Sequence, residues 1–127
     1  MYRMKFQAVS PVVSAHSTAW VAMLLLSNLL FNVFANGSFK LSAQSGNLRG
    51  FLYWQVIGNL AGFITVLTLT GLLRFIPLHV AFPVTTGLAV IGVQLIAGKF
   101  FFGEAISTER WLGTILVVLG IALISKR

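Results

Sequence analysis

Cysteine is absent from this 127-residue sequence, which excludes a disulfide framework, a thiolate metal site and a thiol nucleophile. Acidic residues are nearly absent too: Glu104 and Glu109 stand alone against nine Lys and Arg, for a net charge of +7. Charged residues make up 9% of the chain, where soluble domains carry about a quarter, and 57% of positions are hydrophobic. An ordinary soluble domain is excluded. A basic excess of this size can mark a nucleic-acid binder, but here the Lys and Arg stand singly or in pairs at the ends of apolar runs. That is the placement of interfacial anchors on an integral membrane protein, and no nucleic-acid partner is expected. No nucleophile has a base near it in the sequence and no metal-ligating cluster occurs, so neither an enzyme active site, a metal nor a cofactor is expected.

What the chain has instead is apolar sequence in four runs. The third organises the rest: residues 75–98 carry no formal charge, and at about 1.5 Å of rise per residue they can cross a bilayer core of roughly 30 Å. Pro77 and Pro83 punctuate its start, and Thr85, Thr86 and Gln94 put polar atoms along it. In hydrocarbon such groups require protein or water beside them.

Before the first run lies a mixed segment with Arg3, Lys5, Pro11 and His16, read as lying at the membrane surface. It is not read as the start of a signal peptide, because the uncharged stretch over 6–39 exceeds the short apolar core of such a peptide and asparagines interrupt it. Asn28, Asn32 and Asn36 recur every fourth residue, so a helix puts them on one face, with Lys40 continuing the line. Ser42, Gln44, Ser45, Gly46 and Asn47 are turn formers, and residues 41–49 read as a loop. In the second run Gln55 and Asn59 are again four apart, while Gly58 and Gly62 form a small-xxx-small pair that admits another helix closely. Arg74 closes this run, and the short link to Pro77 makes the second and third helices antiparallel neighbours. Both acids lie in the next connection, where Ser107 or Thr108 is the expected N-cap of the last helix. There Gly113 and Gly120, seven apart, form a groove suited to another helix.

The fold class is therefore all-α, a single-domain bundle of four transmembrane helices over about 17–38, 50–73, 77–98 and 108–125. The candidate cavity is lined by Asn28, Asn32, Asn36, Lys40, Gln55, Asn59, Phe82, Thr85, Thr86 and Gln94. Against a polar track for a substrate stands a plainer reading, in which the amides only hydrogen-bond between helices and the threonines only satisfy their own backbone near Pro83. Lys40 can pair with a lipid phosphate or simply snorkel as an anchor. His79 reads as interfacial and Glu104 as a structural contact at the start of the last helix.

Two blocks of the sequence carry a resemblance. Ile76-Pro-Leu-His-Val-Ala-Phe-Pro-Val-Thr-Thr-Gly87 resembles the proline and Ala-Tyr-Pro start of helix three in four-helix members of the drug/metabolite transporter superfamily. Phe102-Gly-Glu-Ala-Ile-Ser-Thr-Glu-Arg-Trp-Leu-Gly113 resembles their approach to helix four, and Gly113 with Gly120 resembles their helix-four dimer motif. Within that superfamily, small multidrug resistance antiporters carry a glutamate in helix one, and aligning through Lys40 puts Asn32 there, which cannot titrate. Phe82 stands where those antiporters have a tyrosine. The small subunits that flip aminoarabinose-bearing undecaprenyl phosphate lack an essential membrane carboxylate and share the aromatic-proline pair, so they are the closer likeness.

The resemblance implies a small transporter or flippase for an amphiphile, such as a polyprenyl-phosphate-linked sugar, in the inner membrane of a bacterium. It further implies a homodimer, or a heterodimer with a related four-helix protein, in contact with membrane lipids. A non-transporting accessory subunit and a multidrug efflux protein are the alternative readings. Arg3, Lys5, Arg74, Lys126 and Arg127 fall on one side of the membrane and Lys40, Arg49, Lys99 and Arg110 on the other, so insertion in both senses is expected to be possible.

Overall fold

The computed structural model describes residues 15–126. Arg3, Lys5, Pro11 and Arg127, read above as anchors and surface residues, lie outside the described residues. Four helices follow one another: α1 (Ala15–Gln44), α2 (Leu48–Leu72), α3 (Leu78–Gly92), which continues as a π-helical segment (Val93–Phe101), and α4 (Thr108–Ser125). All four runs are long and apolar enough to cross a membrane, and the chain is an all-α, four-spanning membrane protein.

The helices do not share contact equally. α1 packs along α2, and its other side meets α3 and the π segment, whereas α4 lies against α3 without reaching α1 or α2 among the described residues. α2 and α3 touch only lightly despite being adjacent in the chain. The core is small and made of small residues: Ala35, Ala61, Ala81 and Ala97 are buried together with Leu72. Many larger apolar side chains point outward, as they do when lipid is the solvent.

Local chemistry explains the boundaries. α1 runs through Gln44, six residues past the expected end, and the expected loop shrinks to residues 45–47. The reason is where the hydroxyls go. Ser42 is wholly buried and donates to the Phe51 carbonyl of α2 at 2.8 Å, and Ser45 donates to the Leu41 carbonyl at 3.1 Å. Both hydroxyls supplement the helix rather than compete with it, and Asn47 opens α2 by accepting from the Gly50 amide at 2.7 Å. In α3, Pro83 offers no N–H, while Thr85 donates to the Ala81 and Phe82 carbonyls at 2.9 and 3.1 Å.

The third span also passes its expected end at 98, continuing to Phe101 in π geometry, in which Ala97 is buried toward the bundle. Gly103, at φ +64°, then turns the chain, and Ser107 accepts from the Arg110 amide at 3.3 Å to start α4.

Candidate functional site

The asparagine line of α1 divides along its length. Asn28 is 3% exposed and donates across to the Thr65 carbonyl at 2.9 Å and to Thr68 Oγ1 at 3.0 Å. Its own Oδ1 accepts from Asn32 Nδ2 at 3.0 Å. Asn28 thus binds α1 to α2, with Asn32 stacked on it. One turn further, Asn36 donates to the Asn32 carbonyl at 2.9 Å and is exposed. On α2, Gln55 donates to Ser42 Oγ at 3.3 Å, and Asn59 donates to the Gln55 carbonyl at 2.7 Å. Gln55 and Asn59 therefore gather beside the α1–α2 seam and not with Asn36. Phe82 and Thr86 are exposed and Thr85 is buried against its own helix.

What gathers instead is the other end of that line with the far ends of the third and fourth spans. Asn36, Lys40, Gln94, Ala97, Gly98, Phe102, Glu104 and Arg110 line a cavity of about 250 Å³ between α1, the π segment and the start of α4. Of the ten residues expected to line a cavity, Asn36, Lys40 and Gln94 are brought together here. Lys40 Nζ lies 3.1 Å from Glu104 Oε1, with both side chains nearly half exposed, at 45% and 48%. It is the single ion pair among the described residues. Glu104 was read from sequence as a structural contact at the start of the last helix and Arg110 as a basic residue at the membrane surface, yet both line a cavity with a lysine more than sixty positions upstream. The signal available in the sequence was scarcity: with only two carboxylates against nine Lys and Arg, an acid beside a spanning segment is a candidate ion-pair partner, and Glu104 is the one so paired among the described residues.

Gln94 ties the cavity to α4. Thr114, 7% exposed, has one hydroxyl proton and two acceptors in reach, Gln94 Oε1 at 2.9 Å and the Arg110 carbonyl at 2.8 Å, while Gln94 Nε2 is buried without a partner. Turning the amide over lets Nε2 donate to Thr114 and Thr114 donate to Arg110. Either way one amide atom of Gln94 is buried and without a hydrogen-bond partner among the described residues.

Beside this cavity, and sharing Ala97 with it, lies an apolar cleft of about 230 Å³ among Val33, Phe34, Gly37, Leu41, Trp54, Ile96 and Phe101. The glycines read as packing sites also divide. A Cβ on Gly58 would stand 2.5 Å from Phe39 Cε1, so α1 covers it, whereas Gly62, Gly113 and Gly120 have nothing within 4 Å. α4 buries Thr114 alone.

No protein-family model matches the chain, and no solved structure does. Three relatives do. An uncharacterised protein of Sinorhizobium fredii is 29% identical over 91 residues, covering 71% of this chain and 77% of the relative. The spermidine export protein of Citrobacter koseri is 27% identical over 106 residues, 84% of this chain and 89% of its own length. A probable 4-amino-4-deoxy-L-arabinose-phosphoundecaprenol flippase subunit of Photorhabdus laumondii is 34% identical over 74 residues, 58% of this chain and 64% of the subunit. Four spanning helices of this length, together with relatives bearing these two names, fit the family of small four-helix membrane transporters.

Proposed function

We propose that the protein is a small inner-membrane transporter or flippase whose substrate is an anionic amphiphile, a polyprenyl-phosphate-linked sugar being one chemistry that fits. The observation that carries this reading is the charge balance of the cavity. Lys40 and Arg110 line it with one carboxylate, Glu104, paired to Lys40, so one positive charge is left over for a phosphate or carboxylate headgroup. A polyamine or a quaternary cation would require the reverse balance. Asn32, at the position where small multidrug resistance antiporters carry a glutamate, supplies no negative charge, which argues against the multidrug-efflux reading. The adjoining cleft at Trp54 and Phe101 offers an apolar surface for the first part of a hydrocarbon chain.

The dimer belongs to the same proposal. Cavities of about 250 and 230 Å³ fall below the roughly 300–1,000 Å³ that ligand pockets occupy, so one copy encloses too little space for such a substrate. A second chain against α4, whose Gly113 and Gly120 are open, would complete the enclosure; inserted in the opposite sense, it would form an inverted repeat. The exposure of α4 equally favours a second reading, an accessory subunit that packs α4 on a larger complex. Purification separates the two: a stable homodimer or paired heterodimer supports transport, and solubility only with unrelated chains supports the accessory role.

The substrate reading is tested by mass spectrometry of lipids that co-purify with the wild-type protein and with Lys40→Met. Enrichment of phosphate-bearing lipids that is lost in the variant supports it. Enrichment of cationic or neutral species in both overturns it.

A further inference from the structure

Glu104 is not placed as a mobile loop residue would be. Gly103 takes the left-handed conformation at φ +64°, and the Glu104 amide donates to the Gly98 carbonyl at 2.8 Å, so the backbone is tied back onto the π segment. Gly98 has no side chain, and a Cβ built there would already lie 3.6 Å from Glu104 Oε2, so the carboxylate rests over bare backbone. From this position it reaches Lys40 of α1 across the cavity, at 3.1 Å. Arg110 lines the same cavity and forms no ion pair among the described residues. Exposed on nearly half of each side chain, the Lys40–Glu104 contact is of the kind that contributes little to stability and that another anion can displace.

We propose that Glu104 is a tethered competitor for the headgroup site: its carboxylate holds Lys40 in the empty cavity and yields it to the anionic group of the incoming amphiphile. The inference rests on the anionic-substrate reading above and adds to it a residue that sets affinity and selectivity. A monoanionic group must outcompete a carboxylate already in place, so amphiphiles that can engage Lys40 and Arg110 together are favoured over those that meet one cation. Neutral and cationic amphiphiles gain nothing from displacing Glu104. Once released, the carboxylate stays beside the site because the Glu104 backbone amide remains tied to the Gly98 carbonyl after the Gly103 turn, ready to return when the headgroup leaves.

The test is binding of decyl phosphate to the purified protein in a neutral detergent, with decyltrimethylammonium as the cationic control. Glu104→Gln removes the competitor and keeps the shape of the side chain, so decyl phosphate should bind about fivefold tighter, the size of one exposed ion pair. Glu104→Ala should do the same, and Glu104→Asp should stay near wild type. In a Lys40→Met background, Glu104→Gln should no longer change the affinity, because the competition needs the lysine. A merely structural Glu104 would give weaker or unchanged decyl phosphate binding in both neutral variants, alongside normal Lys40-dependent binding by the wild type. That result overturns the inference and leaves the anionic-substrate reading standing. If neither wild type nor any Glu104 variant binds decyl phosphate, or if decyltrimethylammonium binds in preference, the anionic-substrate reading fails and this inference fails with it.

Discussion

The α1–α2 half and the α3–α4 half use polar residues in opposite ways. Between α1 and α2, Asn28 meets Thr65 and Thr68, Ser42 meets the Phe51 carbonyl, and Gly58 is filled by the Phe39 ring. Every one of those groups is matched within the chain. In the other half a π segment interrupts the third span, and among the described residues Gln94 keeps an unmatched amide atom, Arg110 forms no ion pair, and α4 buries one residue. Polar groups in a membrane protein therefore do not identify a site by being polar. Those matched within the chain hold helices together, and those left unmatched are the candidates for contact with a ligand or a second chain.

The largest effect that could break this contrast is at Gly58. Gly58→Leu drives a side chain into the Phe39 ring and should cost about 2–3 kcal/mol, read as a fall in unfolding midpoint in detergent. Gly113→Leu and Gly120→Leu, in open space, should leave that midpoint unchanged. They should instead lower self-association, measured by crosslinking or native mass. Equal destabilisation at all three positions would erase the difference between the halves, and an unchanged dimer fraction in both α4 variants would move the interface elsewhere.

Smaller effects sharpen it. Asn28→Ala removes donors to Thr65 and Thr68 and should cost about 1 kcal/mol, the range measured for hydrogen bonds between helices in lipid. Asn36→Ala, on the exposed end of the same line, should cost next to nothing in stability and act on substrate binding. Gly103→Ala should cost about 1 kcal/mol of loop strain, because only glycine takes its left-handed turn freely. It should also weaken the hold of Glu104 on Lys40, seen as faster chemical modification of the lysine.

Much of the architecture was legible in the sequence because it follows from composition: four apolar runs with basic ends can only be four spanning helices in this class of chain. The Ser107 cap was legible for the same local reason. Periodicity also put Asn28, Asn32, Asn36 and Lys40 on one face, but it could not say that α2 would cover the first of these and that the last would reach a cavity. That depends on how the helices are placed, which a repeat of four does not encode. The serines at 42 and 45 read as turn formers because their hydroxyls can satisfy backbone either way, and burial against α2 decides for the helix. The pairing of Lys40 with Glu104 joins residues far apart in the chain, and only the folded bundle brings them within 3.1 Å.

Transbilayer movement in proteoliposomes tests the central claim most directly, using a fluorescent alkyl phosphate beside the matching alkyl trimethylammonium and spermidine. The account predicts that the wild-type protein moves the phosphate and that Lys40→Met with Arg110→Met slows it about tenfold or more, with the folded dimer retained. Movement of spermidine or the ammonium amphiphile in preference to the phosphate, at a rate indifferent to Lys40 and Arg110, would contradict it.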